Sequence, residues 1–128
     1  KNRGFAQAQY ISPMRDAINA GLKPTNHTDF VVAPLDRMMM LWSAVNRISR
    51  AGAKVGFDQC VTPYEGLQAM TVNVANQYEE SDSKGTLKSG KRADLVILDK
   101  NPLKISKMEI RDIKVIETIK DGKTIYKR

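Results

Sequence analysis

The sequence predicts an α+β protein whose helices and strands are segregated along the chain. Residues 1–83 carry apolar side chains at helical spacing, whereas residues 84–128 carry short apolar runs around an Asp-Gly turn signal. Segregation of this kind indicates pieces of two structural units rather than one closed fold. We therefore predict a helical segment over residues 1–83 and a strand segment over residues 84–128.

Three helices are expected in the helical segment. Ser12 as N-cap and Pro13 at the first helical position predict a helix that ends at Gly21. A second helix is predicted from Asp36 to Arg50. It has one apolar stripe, formed by Leu35, Met38, Leu41, Trp42, Val45 and Ile48.

The third helix has the clearest start signal in the chain. Thr62, Pro63 and Glu65 form a capping box with proline at the first helical position. Four side chains at helical spacing are predicted to point inward from this helix: Leu67, Met70, Val74 and Tyr78.

The strand segment is predicted to contain three strands. Asp94–Asp99 indicates a buried strand bounded by acids, and Asn101-Pro102 ends it. Ile113–Lys120 alternates enough to form a second strand. Asp121-Gly122 is typical of a hairpin turn, which places the return strand at Lys123–Tyr126.

The composition fits a soluble protein of 128 residues with one modest core, because 41% of the residues are hydrophobic and 27% are charged. No apolar run approaches the roughly 18 residues that cross a bilayer, so no membrane association is expected. The single cysteine, Cys60, excludes an internal disulfide and favours a packing role in a cytoplasmic protein. The chain begins at Lys1 without methionine or the apolar core of a signal peptide, so we expect a processed or excised piece.

The net charge of +7 lies entirely in the strand segment. Residues 1–83 carry eight basic and eight acidic side chains, whereas residues 84–128 carry thirteen and six. The lysines alternate with apolar residues, as on the solvated face of a sheet, so no nucleic acid partner is expected. Two alternatives stay open at this point: a small basic binding module without catalysis, and a structural interaction domain.

The stretch Asn26–Pro34 holds the candidate site. It contains His27, the only histidine of the chain, and Asp29 two positions later, followed by an apolar run. These polar residues fall where a short strand would end, which is where α/β proteins bind ligands. Spacing alone allows two interpretations, a local hydrogen-bonded pair or a catalytic site.

Several stretches resemble one family. Gly90–Leu103 resembles the C-terminal β-sandwich signature of the amidohydrolase superfamily, and Thr118–Tyr126 is similar to its closing hairpin. His27–Asp29 and Trp42–Arg47 resemble the end of the last barrel strand and the following helix. The resemblance is closest to the third amidohydrolase group, which contains N-substituted formamide deformylase-like enzymes. Thr62–Thr71 resembles the helix that precedes the sandwich in that group.

The resemblance implies a hydrolase that acts on non-peptide carbon–nitrogen bonds of small amide-type substrates. It implies the last strand and helices of a (β/α)8 barrel, followed by the C-terminal strands of a small β-sandwich. Asp29 would be the catalytic acid at the end of the last barrel strand, touching a divalent metal, most simply zinc, and shuttling the proton of a metal-activated water. His27 would either point to the neighbouring face or support the groups that bind the metal, in preference to binding the metal itself.

One departure from the family pattern limits what this chain does alone. The superfamily uses several histidines on earlier strands, and this chain has one histidine. A catalytic zinc site takes about three protein ligands. We therefore expect the C-terminal part of such an enzyme, which binds no metal and is inactive by itself. The missing barrel strands should leave apolar surface uncovered, formed by the stripe of Met38, Leu41, Trp42 and Val45. This predicts self-association or contact with the missing N-terminal portion.

Overall fold

The computed structural model describes residues 4–128 as five α-helices, two short 3₁₀ helices and one three-stranded antiparallel sheet. The helices are α1 (Gly4–Ala8), α2 (Met14–Asn19), α3 (Arg37–Asn46), α4 (Pro63–Met70) and α5 (Val72–Gln77). The strands are β1 (Leu95–Leu98), β2 (Val115–Lys120) and β3 (Lys123–Lys127). The 3₁₀ helices are Phe57–Gln59 and Lys107–Asp112, and the second is called the junction helix below. The predicted α+β class is confirmed. No helix within residues 4–128 is long and apolar enough to cross a membrane.

Helix α2 ends as predicted but begins differently. Gly21 adopts φ 78°. Its N–H donates to the carbonyl three positions back at 2.9 Å, and the N–H of the following residue donates to the carbonyl five positions back from itself at 3.0 Å. This is the Schellman motif, which needs a left-handed residue at that position. Ser12 does not cap the helix, because Pro13 is the N-cap and no side chain caps it. Instead Ser12 adopts φ 51°, and its carbonyl accepts a hydrogen bond from Arg47 Nη1 at 3.0 Å.

Helix α3 begins as predicted and ends early. The carboxylate of Asp36 accepts the N–H of Met39 at 2.9 Å and so caps the first turn. The last helical residue is Asn46, four positions before the predicted end at Arg50. Arg47 is left-handed, with φ 49°, and its guanidinium donates to three distant backbone carbonyls at 2.8, 3.0 and 2.5 Å. A tertiary contact therefore ends this helix.

The predicted apolar stripe is buried only where its residues belong to α3. Four side chains of the stripe are 0–8% exposed: Met38, Leu41, Trp42 and Val45. They pack in one cluster with Ile110 and Ile113, so the prediction that the missing barrel leaves this stripe uncovered is wrong. Leu35 precedes the helix and is 57% exposed, so its predicted burial is wrong. Ile48 follows the helix and is half-buried against the core.

Helix α4 has the predicted capping box. Thr62 accepts the N–H of Glu65, and the Glu65 carboxylate accepts the N–H of Thr62. The predicted third helix is nevertheless two helices, because the backbone breaks at Thr71, with φ −131° and ψ −89°. A break resets the helical phase, so the predicted inward position of Tyr78 is wrong and this side chain is 67% exposed.

One ion pair joins α2 to α4. The Arg15 guanidinium donates to both carboxylate oxygens of Glu65, at 2.7 and 2.6 Å. The backbone N–H of Thr62 also donates to Glu65, at 2.7 Å. The Arg15 hydrogen bonds, with a smaller contribution from Thr62, lower the pKa of Glu65 from 4.5 to about 2.

The junction helix packs against α3 and joins the two predicted segments. Trp42 Nε1 donates to the carbonyl of Met108 at 3.1 Å, and Asn46 Nδ2 donates to the carbonyl of Lys107 at 3.0 Å. Ile110 is fully buried in the same core cluster as the α3 side chains. The division of the chain between residues 83 and 84 stays a prediction.

The junction helix is an addition to the predicted elements, although the sequence signals its start. The Ser106 hydroxyl accepts the N–H of Met108 at 3.4 Å, and the Glu109 carboxylate accepts the N–H of Ser106 at 3.3 Å. This is a capping box with the spacing that marks a helix start.

The sheet has strand order β1-β2-β3, and both pairs are antiparallel. The predicted hairpin turn is confirmed, because Asp121 and Gly122 adopt φ 48° and 77° between paired Lys120 and Lys123. Positive φ at both central residues defines the type I′ turn.

The predicted burial of β1 is wrong. Val96 is 56% exposed and Ile97 is 45% exposed, although both belong to the apolar run that predicted a buried strand. Within residues 4–128 the three strands form one sheet, and no second sheet covers it. The β-sandwich is therefore not formed by the described part of the chain.

Truncation of Ile110 tests the junction. Ile110→Ala should lower the free energy of unfolding by about 2–4 kcal/mol, because it removes fully buried methyl groups and leaves a cavity. The matched control is Ile125→Ala, since Ile125 is 66% exposed, and its effect should stay within about 0.5 kcal/mol. Urea denaturation followed by Trp42 fluorescence gives both values. Equal losses in the two variants would contradict the junction as the main core contact.

Acid should weaken the contact between α2 and α4. The pKa of Glu65 is about 2 in the folded chain, below its usual value of 4.5, so the ionised form favours folding. This contribution is complete above about pH 4.5 and is lost as the pH falls toward about 2. We expect roughly 1–2 kcal/mol less stability below this window, after allowance for solvent screening. Urea denaturation at several pH values should show a smaller loss in Glu65→Gln than in the parent chain. An identical pH dependence in both would contradict the assignment.

Candidate functional site

The candidate stretch Asn26–Pro34 connects α2 to α3, and its first residue is anchored to the helices. The N–H of Asn26 donates to the carbonyl of Ala69 at 3.0 Å, and its Nδ2 donates to the carbonyl of Met40 at 3.4 Å. Two residues earlier, the carbonyl of Pro24 accepts from Asn73 Nδ2 at 2.9 Å. The chain is therefore held against α3, α4 and α5 up to the residue before His27.

His27 and Asp29 form one local turn. The backbone N–H of Asp29 donates to His27 Nδ1 at 3.1 Å, and Asp29 adopts a left-handed conformation with φ 52°. The carbonyl of Asp29 accepts the N–H of Val32 at 2.7 Å, which tightens the turn. Both side chains are exposed. The structure thus brings together the two predicted site residues, and the contact joins the histidine ring to the backbone of the acid.

The predicted strand before this turn is not formed. Residues 22–28 pair with no strand in the described part of the chain. A strand needs a neighbour to receive its backbone hydrogen bonds, and all three strands of the sheet lie within residues 95–127. Hydrogen bonds between residues 24–26 and the helices α3, α4 and α5 replace part of this strand pairing.

Apolar side chains follow the acid and are exposed. Phe30, Val31 and Val32 are 63%, 80% and 82% exposed, respectively. A shallow cavity of about 420 Å³ opens where this loop meets α3 and β2. Its lining residues are Pro34, Leu35, Asp36, Arg37, Met38, Ile113 and Val115. Three consecutive large apolar side chains are therefore exposed directly after Asp29.

The residues described do not complete a metal site. Over residues 4–128, no group of three or more histidine, cysteine, aspartate or glutamate side chains lies close enough to hold an ion. The Asp29 carboxylate has no ion-pair partner among these residues, so its oxygens are free to act as one ligand or as a base.

Cys60 is not an activated nucleophile. Burial raises the pKa of its half-buried thiol, although Arg47 and Lys107 oppose the shift. An activated cysteine has a lowered pKa instead. The environment fits the predicted packing role.

The polar residues of the Gly90–Leu103 signature hold the fold together. Lys91 Nζ donates to the carbonyl of Ser81 and, at 3.4 Å, to that of Lys84. The Asp94 carboxylate accepts the N–H of Asp121 at 2.9 Å, and this bond does most to lower the pKa of Asp94.

The acid at the other end of β1 has a similar function. The N–H of Lys114 donates to Asp99 Oδ1 at 2.8 Å, and the N–H of Asp99 donates to the carbonyl of Lys114 at 3.0 Å. The signature therefore marks the first strand of the sheet, and its two acids accept backbone hydrogen bonds from the ends of β2.

Comparison with known proteins identifies the family. The sequence profile of the amidohydrolase family matches residues 2–126. The chain belongs to the amidohydrolase family. The resemblance predicted from the sequence is therefore confirmed, and the match covers both predicted segments.

A named relative supports the same assignment. This amidohydrolase chain is 32% identical over 118 residues to the N-substituted formamide deformylase of Arthrobacter pascens. The alignment covers 92% of this chain and 22% of that enzyme. The chain thus spans about a fifth of the length of the relative.

Two solved structures share the fold. An amidohydrolase from Thermotoga maritima MSB8 is similar with a TM-score of 0.68 at 20% identity, over 90% of this chain and 26% of that one. A 5-methylcytosine deaminase from Klebsiella pneumoniae, liganded with phosphonocytosine, is similar with a TM-score of 0.60 at 23% identity. That likeness covers 89% of this chain and 27% of the deaminase. The helices and the three-stranded sheet therefore have the arrangement found in amidohydrolases.

Proposed function

We propose that this chain is the C-terminal part of a metal-dependent amidohydrolase that hydrolyses a non-peptide carbon–nitrogen bond in a small amide-type substrate. The family match over residues 2–126, together with 32% identity to an N-substituted formamide deformylase, carries the proposal. N-substituted formamides are therefore the first substrates to test. In the complete protein, residues 1–83 would belong to a (β/α)8 barrel and residues 84–128 to a β-sandwich. Cytoplasmic location is part of the same proposal.

Asp29 is the catalytic residue of this proposal. Its carboxylate is exposed and free of ion pairs within residues 4–128, and it lies three positions after Asn26, the last anchored residue. In hydrolysis, Asp29 would accept a proton from the attacking water and pass it to the leaving nitrogen. A carboxylate suits both steps, because it is a base at neutral pH and an acid once protonated.

The remaining metal ligands of the proposal lie outside this chain. A carboxylate oxygen is an accepted ligand for zinc and other divalent ions, so Asp29 fits as one member of the set. A bound divalent ion would acidify the attacking water. Within residues 4–128 no three such ligands lie together, so the proposal takes the other ligands from the missing N-terminal portion.

The exposed apolar surface supports contact with a further polypeptide. Phe30–Val32 in the candidate stretch and Val96 on β1 are each more than half exposed. We propose that the missing N-terminal portion covers these residues, and that the isolated chain self-associates through them.

Replacement of Asp29 in the complete enzyme tests the catalytic assignment. Asp29→Asn keeps the size of the side chain and removes the base, so kcat should fall by about 10²–10⁴-fold. The matched control is Asp82→Asn, since Asp82 is exposed in the turn after α5, and its kcat should match the parent. Turnover of an N-substituted formamide is measured by release of formate. A loss smaller than about fivefold in Asp29→Asn would exclude Asp29 as the proton carrier.

The isolated 128-residue chain should neither hydrolyse amides nor bind zinc tightly, because a catalytic zinc site takes about three protein ligands. Isothermal titration with zinc and a formate-release assay with added zinc measure the two properties. Zinc-dependent hydrolysis by this chain that Asp29→Ala abolishes would overturn the expectation.

A further inference from the structure

We propose that His27 is a positioning residue for Asp29 and not a metal ligand. Its Nδ1 accepts the backbone N–H of Asp29 at 3.1 Å and so holds the acid in its left-handed turn. This inference rests on the proposed function, in which Asp29 is the catalytic acid. It assigns an atomic role to the only histidine of the chain.

The direction of the hydrogen bond fixes the state of the ring. A backbone N–H only donates, so the nitrogen that receives it must carry a lone pair. Neutral imidazole has one such nitrogen, which leaves the proton of His27 on Nε2. No lone pair then remains for a metal.

The arrangement is also the reverse of that at metal-binding histidines. Such a histidine gives the lone pair of one nitrogen to the metal and donates the N–H of the other to a carbonyl or carboxylate. The second nitrogen of His27 accepts instead. A metal at Nε2 would require His27 to lose either this proton or the contact with Asp29.

The contact matters because the backbone of Asp29 lies in the left-handed region, which residues other than glycine rarely adopt. Asp29 has φ 52°, and two hydrogen bonds hold it there, one from its N–H to His27 and one to its carbonyl from Val32 at 2.7 Å. Loss of the first bond would let the turn relax and displace the carboxylate. A displacement of about 1 Å at a reacting group lowers turnover about 100-fold.

Two substitutions of His27 in the complete enzyme separate positioning from ligation. His27→Ala removes the acceptor, whereas His27→Asn places Oδ1 where it accepts the N–H two residues later, as in an Asx turn. With an N-substituted formamide, His27→Ala should lower kcat about 10–100-fold and leave KM within about twofold. His27→Asn should recover most of kcat. Both variants should keep the metal content of the parent, measured by mass spectrometry, because His27 is exposed and contributes no ligand.

Three outcomes would overturn the inference. Loss of metal in both variants would make His27 a ligand. Equal kcat values for His27→Ala and His27→Asn would show that a hydrogen-bond acceptor at residue 27 does not position Asp29. A change in KM without a change in kcat would place His27 in substrate binding.

A spectroscopic measurement on the 128-residue chain keeps the inference separate from the proposed function. One histidine gives one set of imidazole ¹⁵N signals, and at about pH 8 these distinguish the two neutral tautomers. Protonation at Nε2 is expected, and protonation at Nδ1 overturns the contact. If the complete enzyme hydrolyses no carbon–nitrogen bond, the proposed function fails while this measurement still decides the role of the His27 ring.

Discussion

The packing of the junction helix against α3 is the constraint on which the rest of the structure depends. Trp42 and Asn46 of α3 each donate a side-chain N–H to a carbonyl of the junction helix, and Ile110 is fully buried in the same core cluster as Trp42. Because these elements lie more than sixty residues apart in sequence, the contact ties the helical segment to the strand segment. Arg111 lies over the Trp42 ring, 5.1 Å from its centre, and extends the same contact. Strands β2 and β3 follow the junction helix in the chain, and Ile113 between the helix and β2 is buried in the same core cluster.

The candidate loop is fixed by the same helix. Its first residue, Asn26, bonds to the carbonyls of Met40 and Ala69, and its far end runs into the Asp36 cap of α3. Most residues between these two anchors are exposed, and Asp29 is one of them. A short loop on a rigid scaffold is a common way to place a catalytic side chain, which is the role we propose for Asp29. The stability of the α3 core therefore bears on the position of the acid.

The burial predictions from the sequence were wrong at several apolar residues that are exposed in the structure. Val96 and Ile97 on β1 and Leu35 before α3 have the pattern of buried residues, yet each is at least 45% exposed. The chain covers about a fifth of the N-substituted formamide deformylase to which it is similar. The exposure of these side chains supports the proposal that a further part of the protein covers them.

The sequence by itself determined the family and the features set by near neighbours in the chain. The Thr62 capping box and the Asp121-Gly122 turn depend on residues at most three positions apart, and both formed as predicted. The tertiary structure decided the end of α3, since Arg47 bonds to distant carbonyls, and the absence of a strand before His27. It also decided which atom of His27 meets Asp29. The physical reason is that short-range hydrogen bonds are specified by local residue types, whereas strand pairing, helix ends and ring orientation depend on partners that sequence spacing does not identify.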